Sequence, residues 1–215
     1  MALPLILRDL PTRDDLRVYL ERLIRAGEPE VRLVSRDRAL AVYGCTQTPE
    51  SLLDPLPVVL VMRAFGLAEA PEAPVDTTVP ARALLDRLAR MGLVGARLEL
   101  PDATVATAWA GVMPPTSGWE PLGVIDAASL VDAARAGIER ISRALPDQPG
   151  SAVVRSVRQR VWGAEIAPGL PAAAAFAAET LGFLREETAV EFSRTLSWTR
   201  LSTGRGHTLV RRAMG

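Results

Sequence analysis

The chain has 215 residues, 48% hydrophobic and 23% charged, and its 25 arginines balance 25 acidic residues to a formal charge of zero. It contains no lysine and no asparagine, and Cys45 and His207 are its single cysteine and histidine. This composition argues against disorder and excludes a Schiff-base or P-loop lysine and any intrachain site built on two cysteines or two histidines. Because lysine and asparagine have A/T-rich codons, their absence indicates a high-G+C bacterial genome.

The N-terminal part, residues 1–110, is predicted to be an α+β region with two helices and two hairpins. Leucines at positions 16, 20 and 23 recur at helical spacing, which predicts a helix over 12–26 with Thr12 as its cap. The other elements predicted here are a hairpin over 31–35 and 39–43, a buried strand over 57–65, a loop over 68–76, a helix over 80–91, and a second hairpin over 93–100 and 103–109.

Residues 111–125 are predicted to be a connecting loop, since 111–123 contain three prolines and three glycines. Residues 126–215 then read as a mainly helical part, with helices over 126–145, 151–162 and 171–187. Valines in the middle segment leave a strand open as an alternative. A final β-hairpin turns at 202–206 and can rejoin the sheet. We therefore expect an α+β fold, either one compact domain or two interdependent subdomains.

The apolar runs indicate no membrane segment. The longest, 57–62 and 171–178, are far shorter than the roughly 20 residues of a bilayer span, and the N-terminus lacks the features of a secretory signal. A single cysteine allows no intrachain disulfide, which fits a reducing compartment. We expect a cytoplasmic protein with no membrane partner.

No motif predicts catalysis. Cys45 and His207 follow the order of a thiol protease without its local signature, and a Ser-His-Asp triad lacks a Gly-x-Ser-x-Gly elbow. Adjacent carboxylates on a helix diverge, and the glycine clusters are too short for a dinucleotide loop. We assign no catalytic residue, no metal site and no cofactor. Whether the chain is an enzyme stays open, but arginine does not act as a tunable base, so binding is favoured.

Arginine is concentrated near the C-terminus. Residues 44–80 carry one arginine against five acids, whereas 192–215 carry five arginines and no acid. Arginines interleaved with a tryptophan can track phosphates and stack on a base, as in single-strand binders. The alternative is a solvated hairpin face or pairing with acids. The candidate basic patch is Arg194, Trp198, Arg200, Arg205, His207, Arg211 and Arg212.

Two tryptophans bracket the proline-glycine loop. Trp109 and Trp119, with Arg63 and Arg97, are the candidates for a ligand or partner site, because a proline-stiffened loop presents an aromatic side chain at low entropic cost. The alternative is that Trp119 folds back to cover the core.

These observations lead to three hypotheses. The first is a protein that acts by protein-protein contact as a homo-oligomer, through the alanine-rich helix over 171–187 and the terminal hairpin. The second is a small-molecule-binding domain or an enzyme with a site near Trp109 and Trp119. The third is arginine-mediated nucleic-acid binding through 194–212, which the zero net charge makes the weakest of the three.

Overall fold

The computed structural model describes residues 4–51, 54–92, 95–146, 148 and 150–211. The chain folds into two compact units, of which the first contains Met1–Thr46 and Met62–Met113 and the second contains Gln47–Val61 and Pro114–Gly215. Within the part of the chain that is described, every helix is too short or too polar to span a bilayer.

Both helices and strands occur throughout the described residues. The helices are α1 (Leu10–Ala26), α2 (Ala81–Arg90), α3 (Ala127–Ala144), α4 (Ser151–Trp162) and α5 (Ala172–Thr180). The strands are β1 (Leu5–Ile6), β2 (Glu30–Arg36), β3 (Ala39–Gln47), β4 (Val58–Gly66), β5 (Asp76–Pro80), β6 (Arg97–Leu98), β7 (Glu120–Asp126), β8 (Glu165–Ala167), β9 (Leu170–Pro171), β10 (Ala189–Thr195), β11 (Trp198–Thr203) and β12 (Gly206–Arg211).

The main sheet has eight strands in the order β5-β2-β3-β4-β12-β11-β10-β7. Four of them, β7, β10, β11 and β12, come from the C-terminal half of the chain. The prediction of a mainly helical C-terminal half is therefore wrong. The physical reason is that residues 120–125, predicted to lie in the connecting loop, belong to a strand. In addition, the last 27 described positions from 185 onward contain three strands rather than one hairpin.

In the first unit, α1 packs a buried leucine stripe. Leu16, Leu20 and Leu23 are all 0% exposed, as their helical spacing predicts. The helix begins earlier than predicted because Asp9, rather than Thr12, is its N-cap and accepts a 2.8 Å hydrogen bond from the Thr12 amide.

Strands β2 and β3 form the first predicted hairpin, and its turn places Asp37 at φ 50°. Strand β5 pairs antiparallel with β2 and was missed, because its first residue falls in the predicted loop over 68–76. The second predicted hairpin is also wrong. Residues 97–98 form β6, which pairs with the distant β1, and Trp109 lies in a short 3-10 turn, Ala108–Gly111. Residues 93–94 of that prediction lie outside the described residues.

In the second unit, β10, β11 and β12 form an antiparallel meander with β7 beside β10. The β10–β11 turn is Leu196-Ser197, and the β11–β12 turn is Gly204-Arg205. Three helices pack below it. Asp126 caps α3 as predicted, whereas α5 ends at Thr180 rather than at 187.

Trp162 of α4 is the centre of this helical packing. It is 5% exposed, and its ring lies 4.6 Å from the ring of Phe176 in α5, centroid to centroid. A Cβ added at Gly137 of α3 would lie 2.3 Å from Cζ3 of the Trp162 ring. The absence of a side chain at Gly137 therefore lets α3 approach the indole.

The two units share one local pattern. In each, an outer strand leads directly into a helix, β5 into α2 and β7 into α3. The outer strand pairs with the first strand of a three-stranded meander, β5 with β2 and β7 with β10.

Candidate functional site

Strand β7 is an open sheet edge. It is the last strand in the sheet order and pairs with β10 on one side only, with no backbone partner on its outer side among the described residues. The edge strand of the first unit, β5, differs because the Val105 amide donates a 3.0 Å hydrogen bond to the Thr78 carbonyl. An open edge presents amide and carbonyl groups that can pair with an added strand.

Apolar side chains on and near β7 are exposed. Val124 is 64% exposed and Leu122 is 41% exposed, and Leu196, at the β10–β11 turn, is 97% exposed. Leu196 also has φ 45°, a left-handed conformation that costs a non-glycine residue about 1 kcal/mol or more. A strained turn that presents a leucine to solvent is unusual for a surface with no contact role. We call Leu122, Val124 and Leu196 the β7 surface.

A cavity of about 470 Å³ adjoins the β7 surface. Leu122, Phe192 and Trp198 line it, together with Leu196 at the turn. Phe192 and Trp198 are only 6% and 3% exposed, so the cavity opens onto side chains of the sheet itself. Apolar walls next to an open edge are suited to receive apolar side chains of a paired strand.

The sequence of β7 restricts how a second strand can pair with it. Pro121 has no amide hydrogen, and the β7–β10 register shifts between Phe192 and Ser193. Gly123 has φ 139°, which belongs to this irregularity. The regular part available for pairing is therefore residues 123–126. The strand was not predicted because it contains a proline and a glycine, although the alternation of Leu122 and Val124 and the cap at Asp126 are signals for it.

The predicted basic patch does not form a single row. Arg194 pairs with Glu120 at 3.0 Å, and Arg205 pairs with Glu186 at 2.6 Å. Arg211 lies over the Trp198 ring, 5.7 Å from its centroid. Arg212 lies outside the described residues. Strand alternation places Arg194 and Arg200 on opposite faces of the sheet. The ion pairs and ring contacts show that most of these arginines contact acids or aromatic rings of the same chain.

Arg200 and His207 are brought together on one face with Trp119. The Arg200 guanidinium lies over the Trp119 ring at 4.2 Å, and the Trp119 Nε1 donates a 3.0 Å hydrogen bond to the Pro115 carbonyl. His207 Nδ1 lies 2.9 Å from Ser202 Oγ. Glu191, Ser202 and His207 are direct neighbours across β10, β11 and β12. This group was only partly predicted, since nothing local in the sequence joins Trp119 to Arg200.

The Ser202–His207 pair is not a triad. Glu191 neighbours Ser202 on the side away from His207, and in the described part of the chain no carboxylate hydrogen-bonds the imidazole. A triad needs its carboxylate on the histidine, where it fixes the tautomer. Cys45, the other nucleophile considered, is 0% exposed. Across the described ranges, no group of three His, Cys, Asp or Glu side chains converges to hold a metal ion.

The remaining candidates occupy separate places in the first unit. Trp109 is 3% exposed, and its Nε1 has no hydrogen-bond partner among the described residues. Arg63 forms an ion pair with Asp15 of α1 and lies 5.6 Å from the Phe65 ring centroid. Arg97 is exposed on a cavity of about 400 Å³. No bond or ring contact among described residues joins Trp109, Arg63 and Arg97 to one another.

The environment of His207 predicts a measurable pH effect. Burial, and then the nearby Arg200 guanidinium, lower the pKa of His207 below its ordinary value of 6.5. Because the unfolded chain binds this proton at higher pH than the folded chain, stability should fall as pH drops from 6.5 toward the folded pKa. An NMR titration of the single imidazole should give a pKa below 6.5, and a His207→Gln variant should lose this part of the pH dependence. A titration midpoint at or above 6.5 would contradict the buried setting.

Comparison with solved structures finds DNA polymerase sliding clamps. The DNA polymerase III subunit beta from Pseudomonas aeruginosa has a TM-score of 0.52 and 18% identity, with 94% of this chain and 64% of that chain covered. A ligand-bound sliding clamp from the same organism has a TM-score of 0.54 and 19% identity, with 94% and 63% covered. Caulobacter crescentus pol III beta has a TM-score of 0.54 and 12% identity, with 100% and 66% covered.

The chain thus spans less than two thirds of the length of these clamps, and at such identities the likeness shows a common fold. A comparison with curated proteins found no match. Residues 114–215 match the family model described as Domain of unknown function (DUF8185). Residues 1–111, more than half of the chain, match the model described as Domain of unknown function (DUF8010), and the chain therefore belongs to that family.

Proposed function

We propose that this protein is a self-associating, clamp-like protein that acts through protein-protein contact, with the β7 surface as its contact. The observation that carries the proposal is the open edge of β7 with Val124 64% exposed. The fold that the chain shares with sliding clamps supports it. The edge strand β5 is partly covered by residue 105, so β7 is the edge that a second copy can extend.

We expect two copies to pair β7 with β7 antiparallel across a two-fold axis. Such a contact is self-complementary, and each copy places Val124 against the edge of the other. Pairing over residues 123–126 is short, and stable interfaces bury about 1,200 Å² or more in total. Leu196 and the cavity beside it would supply the additional apolar area.

The helix predicted to mediate self-association is not available for it. Alanines of α5 are 0–3% exposed, because the helix packs inside the second unit. Small side chains there permit close packing within the chain rather than between chains. The sequence predicted contact through the alanine-rich helix and the terminal hairpin. The proposal drops the helix and keeps the region next to the terminal strands, where β7 pairs with β10.

Light scattering of the full chain over a concentration series tests self-association. The expected mass rises toward twice the 23.1 kDa of one chain as concentration increases. A mass that stays at one chain up to the highest soluble concentration would rule out the proposal.

Association with DNA is a second candidate function, favoured by how charge divides between elements. The five helices contain 13 arginines and 7 acidic residues, a net charge of +6, so the rest of the neutral chain carries −6. Helix α4 carries Arg155, Arg158 and Arg160 and no acid. Local positive charge attracts phosphates even when the net charge is zero, and the solved neighbours are DNA polymerase clamps.

A charge-matched pair of variants tests this second function. Arg158→Gln with Arg160→Gln removes two charges from α4, while Arg36→Gln with Arg38→Gln removes two exposed charges at the β2–β3 turn. Only the helix variant should weaken binding to double-stranded DNA. If both arginines contact phosphates, the slope of log K against log salt should fall by about 1.8. Equal losses in both variants, or no DNA binding by the unmodified chain, would contradict a helix-borne DNA surface.

A further inference from the structure

A polar cleft of about 380 Å³ lies on the face of the second unit's sheet that carries Arg200. Glu191, Ser202 and His207 stand side by side across three strands, and Arg200 and Glu187 complete its charged lining. This volume lies in the range of small-ligand sites, about 300–1,000 Å³. It lies next to the contact proposed for β7, because Glu191 is the cross-strand neighbour of Val124.

Arg200 supplies unused hydrogen-bond donors to this cleft. In the described residues its guanidinium makes no hydrogen bond and no ion pair within 4 Å, although the Glu191 charge attracts it, and its Nε is buried without a partner. Stacking on Trp119 at 4.2 Å holds the guanidinium plane in place. The cross-strand neighbour Ser193 is 7% exposed, and its Oγ also lacks a partner among described residues. Partly buried donors without acceptors are costly, and a bound oxyanion would satisfy them.

His207 can add a donor of fixed direction. Its Nδ1 lies 2.9 Å from Ser202 Oγ, and no described residue contacts its Nε2 through a hydrogen bond. When the Ser202 hydroxyl donates to Nδ1, the neutral imidazole carries its proton on Nε2. Burial and the Arg200 charge lower the pKa of His207, which favours this neutral form at pH 7. The cleft then offers an N–H donor beside the guanidinium.

Two carboxylates in the cleft, those of Glu187 and Glu191, favour a cationic group on the ligand. Glu187 accepts a 3.0 Å hydrogen bond from the Gly204 amide, whereas Glu191 makes no hydrogen bond within the described residues. With one arginine against two glutamates, the cleft carries a net negative charge. A multiply charged anion such as phosphate would be repelled, although Arg200 favours an oxyanion. A ligand that satisfies both sides needs a carboxylate and a cationic group.

We infer that this cleft binds a small zwitterion of the α-amino-acid class. The ligand carboxylate contacts the Arg200 guanidinium and His207 Nε2, and its ammonium group contacts the Glu191 carboxylate. Arginine-carboxylate contacts are charge-assisted and can be bidentate, which gives the orientation its specificity. No bond is formed or broken, and the site is a binding site.

The single histidine provides a direct readout. The His207 Cε1 proton gives one resonance in the full chain, which we would follow while adding each of the twenty standard amino acids. At least one should produce a saturable shift, and its amide, its deaminated acid and inorganic phosphate should not. The inference is overturned when no amino acid shifts the resonance, or when phosphate or the deaminated acid shifts it as strongly.

Matched variants separate the roles of the charges. Arg200→Gln should weaken amino-acid binding at least about tenfold, since a charge-assisted hydrogen bond is lost. Arg205→Gln, a control on the neighbouring turn whose arginine pairs with Glu186, should bind normally. Glu191→Gln should weaken binding of the amino acid and strengthen that of the deaminated acid. Unchanged binding by the Arg200 variant, with its circular dichroism spectrum intact, would overturn the assignment.

Discussion

Replacing Val124 by Asp is expected to convert the protein from a dimer into a monomer. Val124 is 64% exposed in the single chain and lies opposite Glu191 of β10, so an aspartate there should destabilise the fold by about 1 kcal/mol or less through like-charge repulsion. In a paired β7 edge, two aspartates would lie close together without a cationic partner, and like charges across strands repel. Light scattering at a concentration where the unmodified chain is dimeric measures the change.

The matched control for this substitution is Val153→Asp. Val153 lies in α4 and is 45% exposed, so the new charge is equal but lies on a helix rather than on the β7 edge. The control should remain dimeric. If Val124→Asp also remains dimeric, or if both variants dissociate, the contact does not lie at β7.

Replacing Trp162 by Ala is expected to destabilise the protein by about 3–5 kcal/mol, the range for removal of a large buried aromatic side chain. Trp162 is 5% exposed, its ring packs 4.6 Å from that of Phe176, and Gly137 of α3 closes against it. Its removal leaves a cavity where three helices meet. Urea denaturation followed by circular dichroism measures the free energy of unfolding.

Two further variants give stability losses to compare with that of Trp162→Ala. Trp119→Ala removes a half-buried indole that stacks on Arg200, and should cost clearly less than the Trp162 variant. Gly137→Ala adds one carbon 2.3 Å from the Trp162 ring, and should cost about 1–3 kcal/mol through overpacking. A loss below about 1 kcal/mol for Trp162→Ala would show that the helices do not depend on this ring.

The elements with strong local signals could be predicted from the sequence. The Asp126 cap and the apolar spacing after it predict α3, and Ser151–Trp162 is the helix that the valine spacing favours. The β2–β3 hairpin follows from β-branched residues on either side of a polar turn. In these cases, caps and turns lie within a few residues of the element that they define.

Elements that depend on distant partners could not be predicted. Strand β6 has two residues and exists because it pairs with β1, more than 90 positions away. Strand β7 contains a proline and two exposed apolar residues, which resemble a loop until β10 is placed beside it. The prediction of a mainly helical C-terminal half failed because the β7–β10 pairing is non-local.

In the candidate site, too, local features could be predicted and contacts between distant segments could not. Clustering of arginines after residue 192 is visible in the sequence, but their partners are not. Arg194 pairs with Glu120, and Arg200 stacks on Trp119, each from a segment more than 70 positions away. Within the predicted basic patch, Arg194 and Arg205 are therefore paired with acids, whereas Arg200 and His207 line the polar cleft.

Amide hydrogen exchange in β7 is the most direct measurement of the proposed contact. Amides of residues 123–126 that point away from β10 have no partner among the described residues of the single chain, so they should exchange quickly in dilute solution. If β7 pairs with β7, their exchange slows as protein concentration rises, and it stays fast in Val124→Asp. Exchange of these amides at one rate across all concentrations, in a protein that light scattering shows to be dimeric, would contradict the account.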